Sequence, residues 1–416
     1  MRTLRAFYLA ILILLPAAAR AESLEDLLVK KGVISRDELR GAPAGENAKV
    51  YWNNGTRLEF PDTGFMAQIN TLLQPRYEFN NNDETAGQVN QSSFRSNATR
   101  IIMHGNALNQ EFNYRLETDF IAAKGADGAV APTLLDGYLQ WNPCPFFTLR
   151  MGQFKTGVVR QFITGNAYQQ IPDRSYTSEI FRGNYQQGAR ATFTDADKVY
   201  SLFASVYNGE SQEEGGLRGG RNFAGSDTRM MGDVGLRANL MGMQDPFIDA
   251  DLELTSAPAL NVGLAYSYTD AENDFGDGLA ASDFQRGGAD ANFKYLGYSL
   301  HLEVFWAEWK NDLAGESEPI GGYVQTGYMF TPKWEGVLRY GYTDCDNSDI
   351  VTGACASSLG AVEKLNEAAA GLNYYIWKQN LKAQLAYIML RQDLGSHAEV
   401  SDIDTNRWMF QLSAYL

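Results

Sequence analysis

From Thr63 to the C-terminus the sequence alternates between apolar and polar residues with a period of two, and no other feature limits the fold so strongly. Phe112, Tyr114, Leu116, Thr118 and Phe120 alternate with Asn113, Arg115, Glu117 and Asp119. Val234, Leu236, Ala238 and Leu240 alternate with Asp233, Gly235, Arg237 and Asn239, and Trp334, Gly336, Leu338 and Tyr340 with Glu335, Val337 and Arg339. A strand puts successive side chains on opposite faces, so each segment has one apolar and one charged face. Repeated over strands of about ten residues, that is the pattern of an antiparallel barrel with lipid outside and water inside.

Roughly sixteen such segments are readable: 63–79, 93–107, 110–123, 133–142, 146–154, 186–194, 198–208, 229–243, 250–270, 285–296, 299–310, 320–331, 333–344, 364–377, 379–391 and 405–416. Their connections alternate. "NPCP", "TDADK" and "TPK" are tight turns, whereas 156–184, 209–228, 271–284, 345–363 and 392–404 are long and polar. Short turns at one rim and long loops at the other fit a closed transmembrane barrel, and closure pairs every backbone group, as lipid requires. At the C-terminus Trp408, Phe410, Leu412, Ala414 and Leu416 share one apolar face, as a lipid-facing closing strand would. The expected fold is therefore all-β, a transmembrane antiparallel β-barrel of about 16 strands.

Residues 1–21 read as a removable leader. Arg2 and Arg5 precede the apolar run "AFYLAILILLPAA", and Ala19-Arg20-Ala21 supplies small residues for cleavage. No later run approaches the length of a spanning helix. The formal charge is −15 for the whole chain and −18 once Arg2, Arg5 and Arg20 are lost. Residues 22–62 read as a short periplasmic helical segment, "ESLEDLLVKKGVISRDELR", followed by a linker and turn; 63–416 is the barrel. Cys345 and Cys355 bracket a polar loop and either close a disulfide or stay as two free thiols, and Cys144 has no evident partner.

Strand phase assigns Arg115, Arg150, Arg237, Arg339 and Lys382 to the pore wall, since a charge on the lipid face costs about 2–4 kcal/mol near the midplane. Arg95 and Arg100 are five apart and cannot both face inward on a regular strand, so one needs a bulge or lies at the membrane interface; Arg95, opposite in phase to Phe94, is assigned to the wall. The window 145–190 carries Arg150, Lys155, Arg160, Arg174, Arg182 and Arg190 against only Asp173 and Glu179. Such an excess suits contact with anions at a narrow point, where field and desolvation are strongest; the alternative is scattered charge on a surface loop. The three histidines show no nucleophile or metal spacing, so neither catalytic residues, a metal nor a cofactor is expected, and the acidic charge disfavours nucleic acid. The acidic surplus falls in the long loops, where it either binds cations that bridge lipopolysaccharide or simply solubilises.

"LRMGQFKTGV", "FRGNYQQGARATF", "LFASVYNGES" and "GLNYYIWKQNLKAQLAYIMLRQD" together resemble the phosphate-selective porin O and P family of Gram-negative outer membranes. Gly157 stands where that family usually has proline after Lys-Thr, a Thr-Gly-Glu motif in the later strands is missing, and Leu416 replaces the usual final Phe. The resemblance implies a 16-stranded barrel in the outer membrane, generally a homotrimer embedded among lipid and lipopolysaccharide. It also implies a third extracellular loop folded inward to narrow the pore. On it Lys155, Arg160, Arg174 and Arg182 become the constriction, and small inorganic or organic anions such as phosphate the solutes. A general or weakly cation-selective porin is the alternative that the acidic charge favours; a plugged structural or adhesive barrel is a further one.

Overall fold

A computed structural model of the chain describes residues 48–82, 89–121, 132–208, 230–271, 282–311, 315–346, 356–357, 360–394 and 402–416. The leader, residues 22–47 of the stretch 22–62 read as helical segment and linker, and Cys355 lie outside the described residues. The barrel unit comprises Lys49–Glu59 and Thr63–Leu416.

Sixteen strands pair antiparallel in chain order. They are β1 Phe65–Asn82, β2 Gln91–Ala107, β3 Phe112–Asp119, β4 Thr133–Cys144, β5 Phe147–Lys155, β6 Tyr185–Thr194, β7 Tyr200–Tyr207 and β8 Met231–Met241. There follow β9 Ala259–Ala271, β10 Ser282–Tyr295, β11 Tyr298–Asn311, β12 Ile320–Thr331, β13 Trp334–Asp344, β14 Gly360–Trp377, β15 Leu381–Leu394 and β16 Asp402–Tyr415. β16 returns to β1, with Trp408 opposite Phe79 and Gln411 opposite Arg76, and this closes the barrel. Leu416 and Thr71 then exchange both backbone hydrogen bonds, 2.6 and 2.9 Å.

Burial runs inside out compared with a water-soluble barrel. On β13 Leu338 is 62% exposed whereas Arg339 beside it is 3% exposed, and Glu335, Val337 and Thr343 share the covered face. The uncovered apolar side chains are the lipid-facing set, and the polar phase forms the inner face.

At one rim the connections are two to five residues long, apart from that between β8 and β9. There the sequence expectation of a strand over 250–270 is corrected: the strand begins at Ala259, and 242–258 is irregular. Ile248, Ala250 and Leu252 do alternate with Asp249, Asp251 and Glu253, which mimics a strand. The Asp251 carboxylate instead accepts hydrogen bonds from the Thr255 backbone N–H and hydroxyl and from the Gly297 N–H, folding the segment into turns. Ala250 packs with Met329 and Tyr375.

The stretch read as linker and turn contains a hairpin, Lys49–Trp52 against Thr56–Phe60. Asn54 (φ 51°) and Gly55 (φ 143°) make its turn, a pair suited to positive φ. Gln68 of β1 donates to the carbonyls of Asn53 and Asn54, and Trp52 stacks on Trp377. A bulge between Leu73 and Pro75, where proline offers no N–H to the ladder, sets Arg95 and Arg100 on the same inner face. Cys345 is disulfide-bonded and Cys144 is free.

Candidate pore lining

The long connection 156–184 between β5 and β6 is tied at many points to the inner faces of β11–β15. Its first short helix, α1 (Arg160–Ile163), points the backbone N–H groups of Arg160 and Gln161 at the two oxygens of Glu303, each at 2.9 Å. The second, α2 (Tyr176–Phe181), is capped by Ser175 and donates the Tyr176 N–H to Glu367 at 2.7 Å. Unpaired N–H groups at a helix start are satisfied by such carboxylates, and the helix dipole adds to the attraction. Between the helices, Gln170 donates to Glu335 and Ser299, while Lys382 and Gln384 donate to the carbonyls of Gln169 and Gln170. Gly327 leaves the room this needs: a Cβ there would lie 2.1 Å from the Gln170 amide nitrogen.

The four expected constriction residues fall into different environments. Arg160 is fully buried: one guanidinium nitrogen bonds Asp249 and the Pro246 carbonyl, each at 3.0 Å, another meets the Tyr323 hydroxyl at 3.1 Å, and Nε lies 3.4 Å from Glu303. It has no face toward lumen water, so the expectation that Arg160 contacts anions is corrected; it fastens 156–184 to 242–258. Burial raises the Asp249 carboxyl, but His301 and Arg160 outweigh that and hold it below its ordinary value. Lys155, Arg174 and Arg182 surround the ring of Phe162, their charged ends 5.1, 5.4 and 5.4 Å from its centre. Lys155 donates to the Phe162 carbonyl at 2.7 Å, Arg174 to the Gln161 carbonyl and the Asn166 side chain, and Arg182 pairs with Glu179 at 2.9 Å.

Gly157, where the resemblance leads one to expect proline, donates its N–H to Asp233 at 2.8 Å, and an added Cβ would meet the Phe203 ring at 2.3 Å. Proline could supply neither the donor nor the space.

The wall arginines are similarly sorted. Arg115 pairs with Glu117 and Asp136, Arg100 with Glu117 and Asp119, and Arg237 bidentately with Asp290 at 2.7 and 2.8 Å. Arg339 and Lys382 lie on the inner phase as expected, but both are covered by 156–184: Arg339 binds Glu367 and the Asp173 carbonyl, and Lys382 the Gln169 carbonyl. Arg150 forks onto one neutral oxygen, Gln140 Oε1, and stacks on Tyr138 at 4.1 Å. Its partner across the strands is Arg190, a like-charge pair in register.

Arg95, 48% exposed, opens onto a cavity of about 290 Å³ that Arg76, Arg174 and Arg407 also line, with Asp173, Glu179 and Tyr176. Asp173 bridges Arg76 (2.5 Å) and Arg407 (3.0 Å). Burial pushes its carboxyl upward, yet the two guanidinium groups outweigh this and hold it below the usual carboxylate range. Sequence reasoning did not single out Arg76, Arg407, Asp249, Glu303 or Glu367. Strand phase would have found four of these; Asp249 stands in an alternation that belongs to no strand, so phase says nothing of its contacts. Among the described residues, no group of three or more His, Cys, Asp or Glu side chains is placed to hold a metal ion.

Comparison with known proteins agrees with this architecture. No curated protein matches the sequence. Solved structures similar to it include the outer-membrane channel DcaP of Acinetobacter baumannii (14% identity, TM-score 0.54, covering 84% of this chain and 97% of that one). An anion-selective porin from Comamonas acidovorans (11%, 0.54, 84% and 99%) and the trimer form of OmpT from Vibrio cholerae (13%, 0.52, 84% and 99%) are also similar. At these identities the likeness shows the fold alone. The family model for phosphate-selective porins O and P matches residues 69–415, nearly the whole barrel. With the closed 16-stranded wall and its charged inner face, this places the protein in the outer membrane as an integral channel: the chain belongs to the phosphate-selective porin O and P family.

Proposed function

We propose that the protein is a passive diffusion channel for small anions, phosphate among them, in which segment 156–184 is the extracellular loop that folds inward and sets the narrowest point. The observation that carries this reading is the local balance of charge. On 156–184, the fully buried Arg160 aside, and on the inner faces of β1–β7 and β16 with Asp233 of β8, Arg76, Arg95, Arg100, Arg115, Arg150, Lys155, Arg174, Arg182, Arg190 and Arg407 meet Glu78, Glu117, Asp119, Asp136, Asp173, Glu179 and Asp233. Ten basic groups face seven acidic ones in a chain whose formal charge is −15. An anion entering this strip exchanges hydration water for guanidinium and ammonium donors, and loses little because the donors are already in place. Passage follows the gradient and needs no covalent chemistry. A homotrimer is part of the proposal, supported by the trimer form of the similar OmpT.

A weakly cation-selective or general porin is the second reading, favoured by the acidic overall charge and by the carboxylates that partner most wall arginines. The zero-current potential of the purified protein in a planar bilayer under a KCl gradient, repeated with added phosphate, decides between them. Anion preference, with phosphate blocking the chloride current, supports the proposal, and cation preference overturns it.

A further inference from the structure

Asp173 is not a wall residue, yet its carboxylate sits between two wall arginines. It arrives on 156–184, and its two oxygens divide between two strands that meet at the closing seam: Oδ1 takes Arg76 of β1 at 2.5 Å and Oδ2 takes Arg407 of β16 at 3.0 Å. Arg407 also donates to the Tyr176 hydroxyl at 2.6 Å. The wall has its own counter-charge there in Glu78, which lies within ion-pair distance of Arg76, Arg95 and Arg407. Three wall guanidinium groups thus share one wall carboxylate, and the second carboxylate is lent by the loop.

We propose that the Arg76–Arg407 fork is a binding site for a small oxyanion, carboxylate or phosphate, which the chain's own Asp173 fills until a permeating anion displaces it. This rests on the anion-channel reading above and names a ligand site within it. Three observations carry it. The site is built, since the Arg76 side chain is only 2% exposed and fixed between two carboxylates, whereas that of Asp173 is 21% exposed. The adjoining cavity of about 290 Å³ also offers Arg95 and Arg174 to an incoming anion. Finally, Asp173 can leave without undocking its loop, because its backbone carbonyl is held from behind by Arg339 at 2.9 Å and the Pro172 carbonyl by Asn97 at 3.5 Å. A side-chain rotation suffices.

Exchange of one oxyanion for another keeps two carboxylate-type partners at the fork, whereas simple departure of Asp173 leaves Arg76 and Arg407 to share Glu78 with Arg95. Chloride, with a single centre, cannot span both arginines as a two-oxygen anion does. The fork therefore discriminates oxyanions from halide.

The test measures, in planar bilayers of the full-length protein, the concentrations of sodium acetate and of inorganic phosphate that halve the chloride current. Asp173→Asn removes the internal competitor, and the half-blocking concentration should fall about tenfold for at least one of the two oxyanions. Asp173→Glu retains a carboxylate and should stay within about twofold of wild type. Adding Arg407→Gln to Asp173→Asn should abolish the gain. An unchanged or raised half-blocking concentration for both anions in Asp173→Asn, or a gain that survives Arg407→Gln, overturns the proposal. The wild-type zero-current potential judges the channel reading separately, so failure of one is distinguishable from failure of the other.

Discussion

Replacing Asp249 by alanine isolates what holds the first half of segment 156–184 in place. The variant removes the 3.0 Å contact to Arg160, and with it weaker contacts from the Gln170 N–H (3.4 Å) and the Gln325 amide (3.5 Å). Arg160 is fully buried, and breaking a buried ion pair by deleting one partner costs about 3–5 kcal/mol, because the survivor is left uncompensated. Here the survivor still has Glu303 at 3.4 Å and the Tyr323 hydroxyl at 3.1 Å, so the lower end, about 3 kcal/mol, applies. That shifts the local docked-to-undocked ratio by about 150-fold. The second half keeps its own anchors at Glu335, Glu367 and Arg339, so the main loss falls on α1 and only the weaker Gln170 contact is lost beyond it. Two assays read it: the variance of the single-channel current, expected to rise, and trypsin cleavage after Arg160, expected to become faster with Arg182 unaffected. Identical current noise and identical cleavage at Arg160 in variant and wild type would falsify the clasp between the two segments.

Arg182→Glu should lower the anion-to-cation permeability ratio, read as a shift in zero-current potential, because Arg182 is 27% exposed and, among the described residues, forms its ion pair with Glu179; no shift would remove it from the ion path. Gly327→Ala should force Gln170 off Glu335, since the new Cβ would sit 2.1 Å from its amide, and raise single-channel conductance; wild-type conductance would mean that the loop does not narrow the pore. Arg150→Gln relieves a like-charge pair while removing a wall cation, so barrel stability should hold or rise as chloride conductance falls, with heat-modified gel mobility and bilayer current as the readouts. The Asp173 carboxyl is held below its ordinary value, so its hold on Arg76 and Arg407 is complete above about pH 4 and is lost only as pH falls through the depressed value. The conductance difference between wild type and Asp173→Asn should therefore be constant from about pH 7 to about pH 4 and vanish in stronger acid. A difference that vanishes nearer neutrality contradicts the assignment.

The barrel was legible because its physics is local: a side-chain period of two, read in a window of about ten residues, reports which face meets lipid. The same rule misled at Ile248–Glu253, where alternation is real but Asp251 spends its carboxylate on turn N–H groups. The pore lining was legible only in part. Lys155 and Arg160 look alike in the sequence, two cations on one polar stretch, and differ only through the partners that the fold gives them. Asp249 and Glu303 bury one, and the Phe162 and Ile163 carbonyls hold the other. Arg339 and Lys382 show the converse: their phase is right, but what covers them comes from residues 169–173. A face can be read from spacing, whereas a neighbour supplied by another segment cannot.

The closing seam has a consequence for the order of events during biogenesis. Thr71 and Leu416 exchange both backbone bonds, so the pairing that seals the wall joins the first and last strands of the barrel. Hairpins between consecutive strands form from short stretches of chain, but the last contact waits for the whole molecule, and its large loop-closure cost falls late. Until then the sheet has two unprotected margins, at β1 and at β16, whose free N–H and C=O groups can pair with any strand they meet. Escort through the aqueous compartment, and insertion coupled to closure, are therefore demands that the topology itself places on the cell.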